Sequence, residues 1–191
     1  MRVAITGRSA LLIVDVQRDF MPGGALPVPE GDSVVVPINE LVGRFEGRGL
    51  PVILTRDWHP PDHVSFRPRG GPWPPHCVAG TEGAEFHPSL RVPPGALIVS
   101  KATERDREAY SGFEGTDLAQ ALASLGVRRL FVGGVATEYC VRATVLDALR
   151  LNYEVLVVEE AVRGISKDGE ERAKYEMLRE GGILVRLDEI A

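Results

Sequence analysis

A carboxylate and three histidines form the first group of side chains whose types and spacing suit chemistry. Asp57 and His59 stand two positions apart in "TRDWHPPDH", and His76 follows in "WPPHC". Residues two apart in extended chain point to the same side. A carboxylate beside imidazoles suits a divalent cation such as zinc, manganese or iron. His63 is a candidate further ligand, and solvated loop histidines are the alternative interpretation.

A cysteine, a lysine and an aspartate form the second group. Asp15, Lys101 and Cys140 each follow a different apolar run. A thiolate is the reactive form of cysteine, and its pKa falls beside a cation or at a helix N-terminus. We therefore expect Lys101 to favour the Cys140 thiolate and Asp15 to act as general acid and base. A buried, inert cysteine is the alternative, since cysteine is commonly a core residue.

Six apolar, β-branched runs must position these groups, and helix-period segments lie between most of them. Nearly continuous apolar runs predict strands that are covered on both faces. Strands alternating with helices predict an α/β domain with a mostly parallel sheet. In such a sheet the carboxyl ends of the strands share one edge, where ligands bind. The predicted strands are 10–16, 50–55, 96–100, 128–135, 153–159 and 182–187, and the predicted helices are 33–47, 115–126, 138–152 and 168–182.

One proline-rich segment, at about 57–95, interrupts this alternation. All four histidines of the chain lie within it, and structureless loops of this length are usually functional. No repeat or linker divides the chain, so we expect residues 1–191 to form a single domain with this loop as an excursion.

Composition excludes several classes of partner. The net charge of −5 gives no electrostatic reason to expect nucleic acid or an anionic membrane. No apolar stretch approaches the ~20 residues of a membrane span, and the apolar start is interpreted as a first strand rather than a signal peptide. Two cysteines do not make a secreted disulfide framework, so Cys77 and Cys140 are expected to be free thiols in the cytoplasm. The oligomeric state is left open, with a homo-oligomer as one option.

These motifs together resemble the nicotinamidases of the isochorismatase-like cysteine hydrolase superfamily. The similarity runs along nearly the whole chain, from "LLIVDVQRDFMPGG" through "SKATERDREAYSGFEGTDL" to "GGVATEYCVRATVLDAL". It implies a central, mostly parallel six-stranded sheet with helices on both faces. It assigns a catalytic triad and a metal set, which are Asp15, Lys101 and Cys140, and Asp57, His59 and His76.

The implied reaction is hydrolysis of nicotinamide, and also of pyrazinamide, through a thioester on Cys140. The resemblance implies a cis peptide before Ala136, whose N–H would bind the oxyanion together with that of Cys140. One divalent metal, with zinc preferred and manganese or iron as alternatives, would orient the ring nitrogen. The aromatic residues expected around the ring are Phe20, Trp73 and Tyr110.

Three alternatives remain at this point. The nearest is a related amide hydrolase acting on a carbamoyl or ureido substrate. The second is an amidase in which a metal-bound water attacks and Cys140 is structural. The third is a relative that binds a ligand without catalysis.

Overall fold

Six parallel strands form one sheet in the computed structural model, which describes residues 2–191. The strands lie in the order β3-β2-β1-β4-β5-β6. The prediction of a mostly parallel six-stranded sheet is confirmed, and every pairing is parallel. The strands are β1 Ser9–Val14, β2 Val52–Asp57, β3 Leu97–Lys101, β4 Arg129–Val135, β5 Glu154–Arg163 and β6 Ile183–Val185.

Helices cover both faces of the sheet, as predicted. Alternate residues of β1 enter different cores: Leu11 packs on the side of helix α1, and Leu12 on the side of the other three helices. This alternation follows from the two-residue period of a strand, and burial on both faces explains the continuous apolar run. The helices are α1 Val35–Glu46, α2 Leu118–Ser124, α3 Arg142–Arg150 and α4 Lys167–Arg179.

The strand order reverses between β1 and β4, which creates a crevice at their carboxyl ends. The chain runs outward from β1 to β3, then crosses back to place β4 on the other side of β1. Ligands of open α/β sheets bind at such a switch point. The crevice therefore lies between the end of β1, before Asp15, and the end of β4, before Ala136.

Two segments differ from the predictions. The helix expected over 138–152 begins as a π-helix, Thr137–Val141, before α3 starts at Arg142. π-helical turns are rare and occur mostly at functional sites. The fifth strand extends four residues beyond its predicted end, to Arg163, past an irregularity in its pairing with β4.

The predicted loop at 57–95 is ordered by short turns rather than by long elements. Two 3₁₀ turns, Arg67–Arg69 and Glu82–Ala84, are its only helical segments among the described residues. Within residues 2–191, no helix has the length and hydropathy needed to cross a bilayer.

Candidate active site

Four strand ends bring the two groups of reactive side chains together. Asp15 follows β1, Asp57 ends β2, Lys101 ends β3, and Cys140 lies in the π-helix that follows β4. All four residues are buried. Asp15 has a φ of 50°, a left-handed conformation in which few non-glycine residues occur. The chain therefore turns away from the strand direction at Asp15.

Lys101 contacts members of both groups, which the sequence predicts to lie along one edge of the sheet. Its Nζ lies 2.9 Å from Asp15 Oδ2 and 2.5 Å from Asp57 Oδ1. The same nitrogen is 3.5 Å from Cys140 Sγ. One ammonium thus contacts the predicted base, a predicted metal ligand and the predicted nucleophile. Two adjacent carboxylates require such a cation when they are buried.

The charges at this contact are set by burial and mutual attraction. Burial by itself favours neutral Lys101, but attraction to Asp15 and Asp57 outweighs it and raises the pKa of Lys101 well above its ordinary value. Burial also raises the pKa of Asp15, against the opposing attraction of Lys101. Asp15 Oδ1 in addition accepts a hydrogen bond of 2.7 Å from the Thr55 hydroxyl. A carboxyl group with a raised pKa is a better proton acceptor than an exposed aspartate.

The pKa of Cys140 is shifted in the opposite direction from the sequence-based expectation. Burial raises it well above its ordinary value; attraction to Lys101 lowers it, and the nearby Asp15 and Asp57 charges raise it further. The expectation was wrong because it counted the lysine and the helix start but not the depth of burial. The resting group is therefore a thiol. A carboxylate oxygen of Asp15 lies within 4.8 Å of Cys140 Sγ, so a base is close enough to take the proton during reaction.

The predicted metal ligands meet beside this contact. One potential ligand atom from each of Asp57, His59 and His76 lies within 4.8 Å of the other two. His59 Nδ1 is 2.8 Å from the His76 carbonyl, and His76 Nδ1 is 2.8 Å from the Pro74 carbonyl. Each Nδ1–H donates a hydrogen bond to one of these carbonyl oxygens, so each Nε2 carries a lone pair.

His59 Nε2 provides the test of whether these residues suit a cation. It is buried and has no hydrogen-bond partner, which is costly for a polar atom unless a ligand satisfies it. Burial lowers the pKa of His59 to about 3, so the ring is neutral at physiological pH. A neutral imidazole is the form that binds metals. Two imidazoles and a carboxylate match the donor set of a zinc site with an open position.

His63 lies beside this set but both of its nitrogens have protein partners. Its ring centroid is 4.4 Å from that of His59. Nδ1 is 2.7 Å from the Ser65 hydroxyl, and Nε2 is 2.8 Å from the Arg107 carbonyl. His63 therefore packs against a candidate ligand rather than offering a free nitrogen of its own.

The three predicted aromatic residues line one cavity together with the reactive groups. Phe20, Trp73 and Tyr110 share its wall with Asp57, His59, His76, Ala136 and Cys140. Trp73 Nε1 donates a hydrogen bond of 3.1 Å to the Tyr110 hydroxyl. Tyr139, which was not predicted, packs against both rings, with centroid distances of 5.4 and 5.8 Å. The wall of the cavity therefore carries a cluster of aromatic rings in addition to the thiol and the histidines.

The predicted cis peptide is present between Val135 and Ala136. Ala136 and Cys140 line the same cavity. The π-helix begins at once, with the Ala136 carbonyl accepting hydrogen bonds from Tyr139 N and Val141 N at 3.1 and 3.2 Å. The backbone is thus tightly turned beside the thiol, where an oxyanion site was predicted.

Several residues that contact the site were not predicted. Thr55 holds Asp15, Glu108 lines the cavity, and Glu138 accepts hydrogen bonds from the backbone of Ile165 and Ser166. Ile165 also lines the cavity, at its exposed side. Glu138 directly precedes Tyr139 in the quoted motif, but only the fold reveals that it faces a later loop.

The fold and the site together define an α/β protein with a buried cysteine, lysine and aspartate at a sheet switch point. Comparison with known proteins agrees: the isochorismatase domain family matches residues 9–189. The chain belongs to this family.

Individual relatives give the subgroup within the family. The nicotinamidase of Escherichia coli (strain K12) is 39% identical over 201 residues, covering 93% of this chain and 94% of that enzyme. The pyrazinamidase of Pyrococcus horikoshii, solved in complex with zinc, is 57% identical with a TM-score of 0.92, over 94% of this chain and 99% of that one. A protein of L. infantum, solved in complex with nicotinate, is 32% identical with a TM-score of 0.94, over 100% and 99%.

Proposed function

We propose that this protein is a nicotinamidase that hydrolyses nicotinamide to nicotinate and ammonia through a thioester on Cys140. The observation that carries the proposal is the shared cavity. Cys140 and the group of Asp57, His59 and His76 line one aromatic-walled space. In this space a planar pyridine ring would place its carboxamide beside the thiol and its ring nitrogen beside the histidines. The relatives named above support the same substrate class.

The first step adds the Cys140 sulfur to the carboxamide carbon and forms a tetrahedral intermediate. Asp15 takes the proton of the Cys140 thiol as the sulfur attacks the carboxamide carbon. Lys101, 3.5 Å from Sγ, stabilises the negative charge on the sulfur as the proton leaves. The backbone N–H groups of Ala136 and Cys140 are proposed to bind the oxyanion, a contribution that typically amounts to about 10²–10³ in rate for one donor.

The second step releases the products. Asp15 returns the proton to the departing nitrogen, which leaves as ammonia, and the acyl group remains on sulfur. Asp15 then deprotonates a water that attacks the thioester carbon. The carbon–sulfur bond breaks, nicotinate leaves, and the proton returns to Cys140. One water is consumed and the thiol is regenerated.

A divalent cation, with zinc as the proposed ion, would be held by Asp57, His59 and His76. When bound, it supplies a Lewis acid that anchors and orients the ring nitrogen. His63 stays a candidate for a supporting role, since its ring packs on His59. Phe20, Trp73 and Tyr110 are proposed to enclose the ring, and Tyr139 supports two of them.

We also propose that residues 1–191 form one domain and that the protein acts in the cytoplasm. One sheet includes all six strands, and both cysteines are free thiols, as a reducing compartment would keep them.

Replacing a candidate ligand should separate metal binding from the chemistry of the thiol. We expect His76→Ala to lose stoichiometric zinc, because one of three protein ligands is removed, and to raise KM more than it lowers kcat. Zinc content by elemental analysis and steady-state release of ammonia measure the two effects. His87→Ala is the control, because His87 lies in the same loop but outside the ligand group. Retention of zinc by His76→Ala would contradict the ligand assignment.

Substrate choice is tested by ammonia release from nicotinamide, pyrazinamide and a ureido acid. The proposal predicts fast release from nicotinamide and pyrazinamide, whose rings each carry a nitrogen for the cation, and little from the ureido acid. Preference for the ureido acid would instead assign the chain to the related carbamoyl hydrolases.

A further inference from the structure

The side chains of the turn that follows β1 bind the backbone of Asp57, a candidate metal ligand, and of Cys77, the residue after the candidate ligand His76. In "DVQRDF" the residues Asp15, Gln17 and Asp19 alternate along the chain. Asp15 contacts Lys101. Among the described residues, Gln17 and Asp19 form no hydrogen bond with Cys140 or with the ligand side chains, yet both bind the backbone of the ligand-bearing segments.

Gln17 is a fully buried amide that hydrogen-bonds the backbone of Asp57 on both sides. Its Oε1 accepts from Asp57 N at 2.8 Å, and its Nε2 donates to Asp57 O at 2.8 Å. Nε2 also donates to the Ala84 carbonyl at 2.9 Å. A buried glutamine that uses both ends of its amide on main-chain partners specifies one geometry, since either lost bond leaves a buried polar group unsatisfied.

These bonds replace a missing stretch of strand. Along β1 the ladder to β2 runs from Leu11 N to Pro51 O and on to Asp15 N to Thr55 O. The next bond of this series would join residue 17 N to Asp57 O. Gln17 N instead donates to Asp15 O, because the chain turns at Asp15. The side-chain amide of Gln17 takes the place of the peptide group and holds Asp57 in the sheet, opposite its β3 partner Lys101.

Asp19 holds the backbone of the segment that carries His76, as Gln17 holds the backbone of Asp57. Its Oδ2 accepts a hydrogen bond of 2.8 Å from Cys77 N, the residue after His76. Cys77 has a φ of 46°, so its backbone is in the sparsely occupied left-handed region. The Cys77 carbonyl in turn accepts from His59 N at 2.9 Å. A single turn therefore fixes the backbone at Asp57 and next to His76.

We infer that Gln17 and Asp19 are positioning residues that preorganise the metal site, with the turn 15–19 setting the separation of Asp57 and His76. The inference rests on the proposed function, in that it requires these residues to hold a cation. Groups that orient ligands typically contribute 10–100-fold to metal affinity.

The test measures zinc affinity against a fluorescent chelator and the melting temperature of the metal-free protein. Gln17→Glu keeps the shape but replaces the donor to two carbonyls with an acceptor, and should weaken zinc binding about 10–100-fold. Asp19→Asn, which keeps its shape and alters one acceptor, should weaken it in the same direction. Asn39→Asp is the matched control, because Asn39 bonds Ser89 O and Arg91 N with its amide, remote from the ligands.

The outcomes separate the inference from the proposed function. Weaker zinc binding in Gln17→Glu and Asp19→Asn, with Asn39→Asp unchanged, supports it. A lower melting temperature with parental zinc affinity in both variants would overturn it and leave a purely structural role. If Gln17→Glu does not fold, the affinity of Asp19→Asn decides alone. Failure of the parent protein to bind zinc would instead refute the metal site of the proposed function, and the inference with it.

Discussion

Cys140→Ala is expected to reduce ammonia release from nicotinamide by at least about 10⁴-fold, as removal of a covalent nucleophile does in other hydrolases. The side chain is buried beside Lys101, and no other thiol lines the cavity among the described residues. The variant should still fold and bind zinc, because alanine fits the space of a cysteine and the ligand group is left intact. Initial rates and zinc content measure the two expectations.

Cys77→Ala is the matched control for this prediction. Cys77 is the other cysteine of the chain and is fully buried, but it contributes its backbone rather than its thiol to the site. We expect most activity to remain. Equal activity in the parent and in Cys140→Ala would contradict a thioester and favour attack by a metal-bound water.

Lys101→Met is expected to cost about 3–5 kcal/mol of unfolding free energy at neutral pH, since it leaves buried carboxylates without their cation. It should also lower kcat about 10³-fold or more. The variant lacks the positive charge near Sγ, and the protonation of the base Asp15 changes. The ammonium is the group that lowers the pKa of Asp15 against burial. Without it that pKa rises further, so a larger fraction of Asp15 is protonated and unable to accept a proton from Cys140.

The pH dependence of this destabilisation follows from the same shift. The pKa of Asp15 in the folded protein is raised above its ordinary value of 3.8. A carboxyl group with a raised folded pKa favours folding at low pH, and this contribution is lost as pH rises through the folded pKa. Loss of Lys101 raises the folded-state pKa of Asp15 above that of the parent. The free energy of unfolding of Lys101→Met should therefore rise more on acidification than that of the parent, and the difference between the two proteins should shrink. Urea unfolding at neutral and acid pH measures it.

Lys174→Met is the control for the lysine. Lys174 pairs with Glu170 at 2.9 Å on one face of α4, and its side chain is 23% exposed. Such a pair contributes at most about 1 kcal/mol, so stability and activity should stay close to parental. A Lys101→Met protein with parental stability would contradict the central place of this ammonium.

The sequence was sufficient for the strands and for the residues at their ends. Continuous apolar runs marked the buried parallel strands, and the polar residue after each run marked the carboxyl edge. The strand order was not available from these patterns. That order places β2 between β1 and β3, and this placement brings Asp57 and Asp15 to the same ammonium.

Two features of the site depended on information that a local pattern does not contain. The pKa of Cys140 depends on burial by several elements, whereas its sequence neighbours show only the helix start and the glycines. The role of Gln17 depends on where β1 stops pairing, which is set by the left-handed turn at Asp15. The motif "DVQRDF" was visible in the sequence, but only the fold shows that the Gln17 amide hydrogen-bonds the backbone of Asp57.

The most direct measurement of the central claim, that Cys140 attacks the carbonyl carbon of a pyridine ring bound in this cavity, uses nicotinaldehyde labelled with ¹³C at the carbonyl. We predict that the zinc-loaded protein converts the label from a trigonal aldehyde to a tetrahedral thiohemiacetal signal, and that Cys140→Ala binds the aldehyde without this change. A labelled carbon that stays trigonal in the parent protein, while nicotinamide competes for the same site, would contradict the claim.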